Sequence, residues 1–150
     1  MNVIAIDPGT TESGVVAWDG TKILDAKFLL NEDVLTYLNA VCDPDVVLVI
    51  EEFVCYGMAI GKESIKTIFW SGRFWQAYDF HRVLMERKTV KLHLCETSRA
   101  TDSNIRQALI DRFGDPGRKS APGLLYPLKG HTWAAFALAV TWMDKNGGVK

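Results

Sequence analysis

The stretch VIAIDPGT, residues 3–10, is a run of four apolar residues that ends in an acidic residue and a turn. Such a run is typical of a buried strand, so we expect Asp7 at a strand's carboxyl end. The run VVLVI, residues 46–50, repeats the pattern and leads directly into Glu51 and Glu52. Its five aliphatic residues indicate a central strand that is covered on both faces. The sequence therefore predicts two buried strands that each end in an acid.

The remaining pattern predicts alternating strands and helices around these two strands. Further strands are expected at residues 13–18, 22–29 and 90–95, and helices at 31–41, 62–86, 101–113 and 131–144. The order βββαβαβαα excludes an all-helical bundle and an all-β sandwich, and it fits an α/β fold with a five-stranded mixed sheet. The polar residues 115–129, with their Gly and Pro, predict a mobile surface loop, and residues 146–150 are expected to fray.

Length and charge set the scale of the protein. The 150 residues, 48% apolar and 23% charged, suit one domain spanning residues 1–150. The net charge of −1 alone predicts no charged partner, but residues 1–56 carry two basic and ten acidic side chains, whereas residues 57–130 carry thirteen and seven. An acidic segment followed by a basic one suits a cation site beside an anionic substrate.

The cysteines and the hydropathy predict a cytoplasmic location. Cys42, Cys55 and Cys95 are odd in number and lack C-x-x-C spacing, so neither a disulfide framework nor a zinc knuckle is expected. Residues 1–6 lack the basic region of a secretory signal. No apolar run approaches the roughly 18 residues of a membrane span, so a membrane partner is not expected.

The acids that end the two strands predict a cation site. A carboxylate beside a buried strand is destabilising unless a cation or a donor satisfies it, so two such sites suggest a shared cation. Because side chains alternate along a strand, only one of Glu51 and Glu52 can face Asp7. A helix cap or salt bridge for Asp7, and a solvated edge for the glutamates, remain the alternatives.

Several segments in order resemble one family. They are IAIDPGTTESG at residues 4–14, VIE at 49–51, YGM at 56–58, GKE at 61–63, NIRQALIDRFG at 104–114 and AAFALA at 134–139. Together they are similar to the RuvC-type Holliday junction resolvases, and most closely to the phage and prophage branch. The resemblance implies an RNase H-like fold with helices on both faces of the sheet, a homodimer, and metal-dependent cutting of four-way DNA junctions in a bacterial host's cytoplasm.

The resemblance also implies a metal centre. Asp7 and Glu51 would hold two Mg²⁺ ions, for which Mn²⁺ would substitute, because both ions prefer hard oxygen ligands. His131, at the start of the last helix, would ligate a metal or move a proton. The family places a second ligand three residues later, where this chain has Ala134.

Three explanations of Ala134 are open. A neighbouring acid substitutes, the site works with fewer protein ligands, or activity is impaired. The acids considered as substitutes are Glu52, Glu96 and Asp144.

Basic residues are candidates for binding DNA phosphates. Lys91 corresponds to a family lysine near the scissile phosphate, whereas the family's second such lysine falls on Asp102, so we expect Arg99 or Arg106 to supply that charge. Further candidates are Lys62, Lys66 and Arg73 on the long helix and Arg118 and Lys119 in the polar loop. Clustered cations give salt-sensitive affinity for DNA, and a solvated charged surface is the alternative.

Aromatic residues are candidates for contacts with bases and with a second subunit. Phe53 and Tyr56 follow the central acid where the family places probes of unstacked bases, and a return of Phe53 to the core is the alternative. Four aromatics on the long helix exceed one internal face; the resemblance implies a dimer interface on this helix, and core packing alone is the alternative. They are Phe69, Trp70, Phe74 and Trp75.

Other functions remain as alternatives to junction resolution. A junction-binding protein with impaired catalysis would explain Ala134, and a nuclease of the same fold could act on flaps or forks. The motif at residues 7–11 also looks like the phosphate loop of sugar kinases and actin-like ATPases. Those enzymes close two lobes over a nucleotide, and 150 residues do not provide two lobes.

Overall fold

The computed structural model describes residues 1–147. In it the chain forms a mixed five-stranded sheet with helices on both faces. The elements are β1 (Asn2–Asp7), β2 (Glu12–Trp18), β3 (Ile23–Leu30), α1 (Asn31–Asn39), β4 (Val46–Glu52), α2 (Lys62–Ala77), β5 (Arg82–Glu86), α3 (Arg87–Cys95), α4 (Asp102–Phe113), β6 (Gly117–Arg118), β7 (Ala121–Pro122) and α5 (Thr132–Asn146). The strand order is β3-β2-β1-β4-β5, with β1 antiparallel to β2 and parallel to β4. The predicted fold class is confirmed.

Alternation along the strands divides the apolar residues into two layers. Val3 and Ala5 of β1 and Val47 and Val49 of β4 pack with α5 and residues of α3 and α4 on one face. The intervening residues of the same strands pack against α1 and α2 on the other. Both faces of the central strands are therefore buried, which explains their continuous aliphatic runs.

The last helix is embedded in the first of these layers. Eleven of the fifteen residues of α5 are buried, so its apolar character on all sides reflects burial in the protein interior. None of the described helices is long and apolar enough to cross a membrane. The helix reaches Asn146, so the predicted fraying is wrong at that residue, and residues 148–150 lie outside the described part.

The predicted fifth strand is wrong. Residues 82–86, expected at the end of a long helix, form β5, and residues 90–95, expected as a strand, belong to α3. The short segment becomes a strand because it pairs in parallel with β4, which places Val83 beside Val49. The expected long helix ends at Ala77. The next residue, Tyr78, is tied to the sheet by its hydroxyl, which donates a hydrogen bond to the carbonyl of Val46 over 2.7 Å.

The segment predicted as a mobile loop is anchored. Within residues 115–129, β6 and β7 form a small hairpin, and the side chains of Leu125 and Leu128 are buried in the α5 layer. Burial of two leucines stabilises the segment by about 3–6 kcal/mol before entropy is counted. These leucines are the feature that the polar composition concealed.

Candidate active site

Parallel pairing brings Asp7 and Glu51 together. Ile6 of β1 pairs with Ile50 of β4, so the next residue on each strand is an acid, and both acids face the α5 layer. They line a cleft, called here the first cleft, between the sheet edge and the starts of α3, α4 and α5. Its lining includes Asp7, Glu51, Arg87, Asp102, Arg106, His131 and Ala134.

The two acids hold each other in an unfavourable electrostatic state. Burial, followed by the hydrogen bond and the charge of Glu51, raises the pKa of Asp7 from 3.8 to about 8, although Arg87 opposes this. A buried carboxyl that faces a second carboxylate keeps its proton until a cation arrives. The pair is thus arranged to bind a proton or a positive ion.

Arg87 provides the nearest cationic side chain. It is the first residue of α3, its Nη1 lies 3.3 Å from Glu51 Oε1, and it also forms an ion pair with Asp102 at the start of α4. Arg87 was not predicted as a site residue because residues 82–86, which precede it, were expected at the end of a long helix. The only local indication was a basic residue after the short apolar run of residues 83–85.

His131 lies beside the acids, as expected. Its Nδ1 is 3.3 Å from Asp7 Oδ2, and its backbone leads directly into α5. Ala134, on the next turn of the helix, lines the same cleft but carries no ligand atom. The start of α5 therefore contributes one polar side chain where the resemblance implies two.

Glu52 and Lys91 lie in a neighbouring cleft. Glu52 follows Glu51 and so faces the α2 side of the sheet, away from Asp7. This second cleft is lined by Glu51, Glu52, Phe53, Tyr56, Arg87, Lys88 and Lys91, among others. Glu52 and Lys91 therefore lie outside the first cleft. Arg87 lines both clefts and so connects them.

The other acids considered as replacements for Ala134 also lie elsewhere. Glu96 is an exposed residue at the end of α3, with a left-handed backbone at φ 61°. Asp144 lies in the last turn of α5 and accepts hydrogen bonds from Arg112. The additional acid of the first cleft is instead Asp102, the residue that takes the place of the family's second lysine.

The remaining basic candidates are spread over the surface. Arg106 lines the first cleft and lies over the ring of Trp133 at 4.5 Å. Arg73 lies over the ring of Trp70 at 4.3 Å. The others are exposed, with Lys62 and Lys66 on α2, Arg99 before α4, and Arg118 and Lys119 at the β6–β7 hairpin. Only Arg106 of these lies with the acids.

The aromatic candidates divide between surface and core. Phe53 and Tyr56 are exposed, and the Tyr56 hydroxyl donates to Glu86 at 2.5 Å. On α2, Trp70 and Phe74 are buried and Phe69 is exposed. Trp75 is partly buried and packs against the same layer, so three of the four α2 aromatics lie in or against the core.

The turn after β1 is held by a polar clamp. Asn31 accepts a hydrogen bond from Ser13 Oγ at 2.6 Å and donates to the carbonyl of Gly9 at 3.0 Å. A Cβ on Gly9 would approach the carbonyl oxygen of Glu12 to 2.1 Å, so glycine is required there. The side chain of Asn31, the first residue of α1, thus fixes the loop beside Asp7.

The residues present fit one divalent cation. Asp7, whose pKa Glu51 helps to raise, and Glu51 itself offer hard oxygen ligands, and Mg²⁺ commonly uses one or two carboxylates with water and phosphate. Across residues 1–147, however, no group of three or more His, Cys, Asp or Glu side chains is arranged to hold a metal ion. The expected centre of two ions therefore lacks a preformed set of protein ligands in this part of the chain.

Comparisons with known proteins identify the fold. No family model matches the chain, and no curated protein matches it either. Among solved structures, the Thermus thermophilus RuvC structure superposes with a TM-score of 0.69 at 19% identity, covering 98% of this chain and 97% of that one. T. thermophilus RuvC in complex with Holliday junction substrate has a TM-score of 0.62 at 18% identity, covering 94% and 92%. The chain thus has a RuvC-like fold.

Proposed function

We propose that this protein is a metal-dependent endonuclease that cuts four-way DNA junctions. The observation that carries the proposal is the meeting of Asp7 and Glu51 at the carboxyl ends of two parallel strands, with His131 beside them. Its fold is that of a protein whose solved complex contains a Holliday junction substrate. The resemblance of its sequence motifs to the phage and prophage branch of such enzymes supports the proposal.

Asp7 and Glu51 would hold the metal. When bound, Mg²⁺ supplies a Lewis acid that polarises a phosphate oxygen and activates a water. The two acids then serve as fixed oxygen donors, with the polar clamp at Gly9 and Asn31 keeping Asp7 in place. His131 Nδ1, at 3.3 Å from Asp7 Oδ2, is placed to hold a proton at this edge of the cleft.

Arg87 would contact the substrate phosphate. A guanidinium can donate two parallel hydrogen bonds to phosphate oxygens, which an ammonium cannot do. Arg87 lines both clefts and is already oriented by Glu51 and Asp102. We assign to Arg87 the contact with the scissile phosphate that was expected for Lys91, which lines the second cleft.

The second cleft would receive a DNA strand next to the cut. Lys88 and Lys91 offer positive charge, and Phe53 and Tyr56 present exposed rings on which bases could stack. Lys88 lies over the ring of Tyr56 at 5.8 Å, so cation and ring form one surface. This surface suits the unstacked strand of a branched substrate better than a closed duplex.

A homodimer would use the exposed apolar face of α2. Ile65, Ile68 and Phe69 are exposed there, with 62% of the Phe69 surface accessible. Contiguous exposed apolar side chains of this kind mark interaction sites. A two-fold dimer would present two identical clefts to a substrate that has the same symmetry.

Cleavage of an immobile four-way junction tests the proposal. Purified protein with Mg²⁺ should introduce paired nicks in the junction and leave a linear duplex of the same sequence intact. The variants Asp7→Asn and Glu51→Gln should bind the junction and not cut it. Equal cutting of junction and duplex, or cutting by both variants, would show that the assignment is wrong.

A junction-binding protein with impaired catalysis is the second candidate. Ala134 favours it, because the start of α5 offers one ligand where the resemblance implies two. Tight, structure-selective binding without cleavage across a range of Mg²⁺ and Mn²⁺ concentrations would establish this function. Flaps and forks in the same panel would identify a nuclease with a different branched substrate.

A further inference from the structure

Three residues form a row across the sheet beneath His131. Asp7 of β1 pairs with Gly14 of β2, and Gly14 pairs with Phe28 of β3. Side chains directly opposite one another in paired strands point to the same face of a sheet. Asp7 and Phe28 therefore flank a position at which Gly14 has no side chain.

The backbone of His131 occupies the space above Gly14. A Cβ built on Gly14 would lie 2.6 Å from the carbonyl oxygen of His131 and 2.8 Å from its carbonyl carbon. Real Cβ atoms do not approach backbone atoms so closely, so any other residue would displace the start of α5. Glycine thus lets the residue that precedes α5 lie directly on the sheet.

The imidazole of His131 is held between the two flanking side chains. The ring of Phe28 is stacked on it, with centroids 5.2 Å apart and planes inclined by 14°. On the other side, Nδ1 lies 3.3 Å from Asp7 Oδ2. Because 67% of the His131 side chain is accessible, these two contacts restrain a ring that solvent would otherwise leave free.

Phe28 has no part in the described apolar layers. It lies on β3, an outer strand, with 47% of its surface exposed, and it packs in neither of the two apolar clusters. A half-exposed ring outside both clusters contributes little to the apolar core. Parallel stacking on an imidazole, by contrast, requires a flat ring at this position.

We propose that Phe28 is a positioning residue that fixes the ring plane of His131, so that Nδ1 faces Asp7. Gly14 sets the height of the histidine above the sheet, and Phe28 sets the orientation of its ring. The catalytic consequence rests on the proposed nuclease function, but the positioning itself does not. An imidazole already oriented loses less freedom when the substrate arrives, which favours the reacting arrangement.

Nuclear magnetic resonance of the histidine ring tests the positioning directly. In the full chain without DNA, the carbon-bound ring protons of His131, assigned with His131→Gln, should be shifted upfield by the Phe28 ring current. Phe28→Ala and Phe28→Leu should abolish that shift, and Phe28→Tyr should retain it. Leu24→Ala, which removes a similarly exposed side chain from the same strand, is the matched control and should change nothing. An unchanged His131 spectrum in Phe28→Ala would overturn the proposal.

Single-turnover cleavage of a prebound junction tests the consequence. We expect the rate to fall roughly tenfold in Phe28→Ala and Phe28→Leu, the scale of a lost aromatic stack, with junction affinity unchanged. Phe28→Tyr should restore the rate. Equal rates in the Tyr and Ala variants would contradict the proposed role in catalysis. If the wild-type protein cuts no junction, the proposed function fails, and the ring-proton shift alone decides whether Phe28 positions His131.

Discussion

Acidic side chains cluster at both ends of α5, but their electrostatic surroundings differ. At its start, Asp7 faces Glu51, and His131 and Arg87 are the nearby basic side chains. At its end, Asp144 accepts hydrogen bonds from Arg112 Nη2 at 2.8 Å and from His93 Nε2 at 2.7 Å. The first cluster brings like charges together, and the second pairs each charge with its opposite.

The pKa values of the two acids move in opposite directions as a result. Burial and Glu51 raise the pKa of Asp7 to about 8, whereas the hydrogen bonds from Arg112 and then His93 lower the pKa of Asp144 despite its partial burial. The paired end joins α3, α4 and α5 and stabilises the fold. At the other end, Asp7 and Glu51 lie together despite Arg87, and the raised pKa of Asp7 lowers stability at neutral pH; such an arrangement persists where function requires it. One helix thus separates a structural cluster from a candidate catalytic one.

Neutralising Asp7 should have the largest effect and should change activity and stability in opposite directions. Asp7→Asn should reduce junction cleavage at least roughly 100-fold, because even mutation of residues that only hydrogen-bond to a metal ligand lowers activity about 10–100-fold. It should also stabilise the protein at pH 8. The Asp7 carboxyl loses its proton near pH 3.8 in the unfolded chain but only near pH 8 in the folded state. Wild-type stability therefore falls as the pH rises from 3.8 to about 8.

Urea unfolding at pH 4, 6 and 8 measures this difference. The stability gained by Asp7→Asn should grow with pH. A variant that is less stable than the wild type at pH 8 would mean that Asp7 and Glu51 do not repel one another.

Removing Arg87 should distinguish the two clefts. Arg87→Ala should lower the cleavage rate of bound junction by roughly 10- to 100-fold, the equivalent of about 1.5–3 kcal/mol for hydrogen bonds to a charged group. Arg87→Lys should restore only part of the rate, because it lacks the second donor. Lys91→Ala is the control and should weaken binding with a smaller effect on the rate. If Lys91→Ala slows the bound complex more than Arg87→Ala, the assignment of the phosphate contact is reversed.

Breaking the paired end should lower stability and leave chemistry intact. Asp144→Asn should destabilise the protein by about 1–3 kcal/mol at pH 7, since it removes the negative charge and one of the two oxygens that accept from Arg112 and His93. The pKa of Asp144 is lowered on folding, so its contribution is present above the usual carboxyl range and is lost as pH falls through the folded value.

Thermal unfolding between pH 3 and 7 follows this contribution, and the gap between wild type and Asp144→Asn should close in acid. Asp111→Asn, which alters an exposed acid of α4 bonded to Gln107, is the matched control. A changed cleavage rate in Asp144→Asn would show that the two ends of α5 are coupled.

The smallest effect is expected at the helix that spans both ends. α4 begins at Asp102 in the first cleft and carries Arg112 near its other end, and Thr101 caps it by accepting a hydrogen bond from the Asn104 amide at 3.2 Å. Thr101→Ala should destabilise the protein by about 1 kcal/mol. Thr101→Ser should be nearly neutral in the same unfolding experiment. A loss as large as that of Asp144→Asn would mean that the α4 start, and not the paired end, holds the helices together.

The strongest local patterns were predicted well, and weak ones were not. The runs that became β1 and β4 and the apolar α5 each carry enough consecutive aliphatic residues to identify themselves. β5 has only three consecutive apolar residues between Arg82 and Glu86, and its strand conformation depends on pairing with β4. A helix pattern and a strand pattern of that length look alike.

The candidate site was predicted in part for the same reason. Asp7 and Glu51 were predicted because each follows a clear aliphatic run, whereas His131 was predicted because the family resemblance places a ligand at the start of the last helix. Arg87, Asp102 and Phe28 were missed as members of the site, since nothing in their immediate neighbours relates them to Asp7. The one local indication for Phe28 was an aromatic residue in a half-polar strand.

Local periodicity alone therefore determined the strongest elements of this chain, β1, β4 and α5, and the acids at the ends of those two strands. Only the tertiary structure decided that Arg87 contacts Glu51 while Lys91 lines the second cleft, that Glu52 faces away from Asp7, and that Phe28 meets His131 across Gly14. The physical reason is range: the apolar pattern of a segment acts over a few neighbouring residues. Which side chains meet depends on the register between strands and on the close approach of a helix, and both are set by residues far apart in the chain.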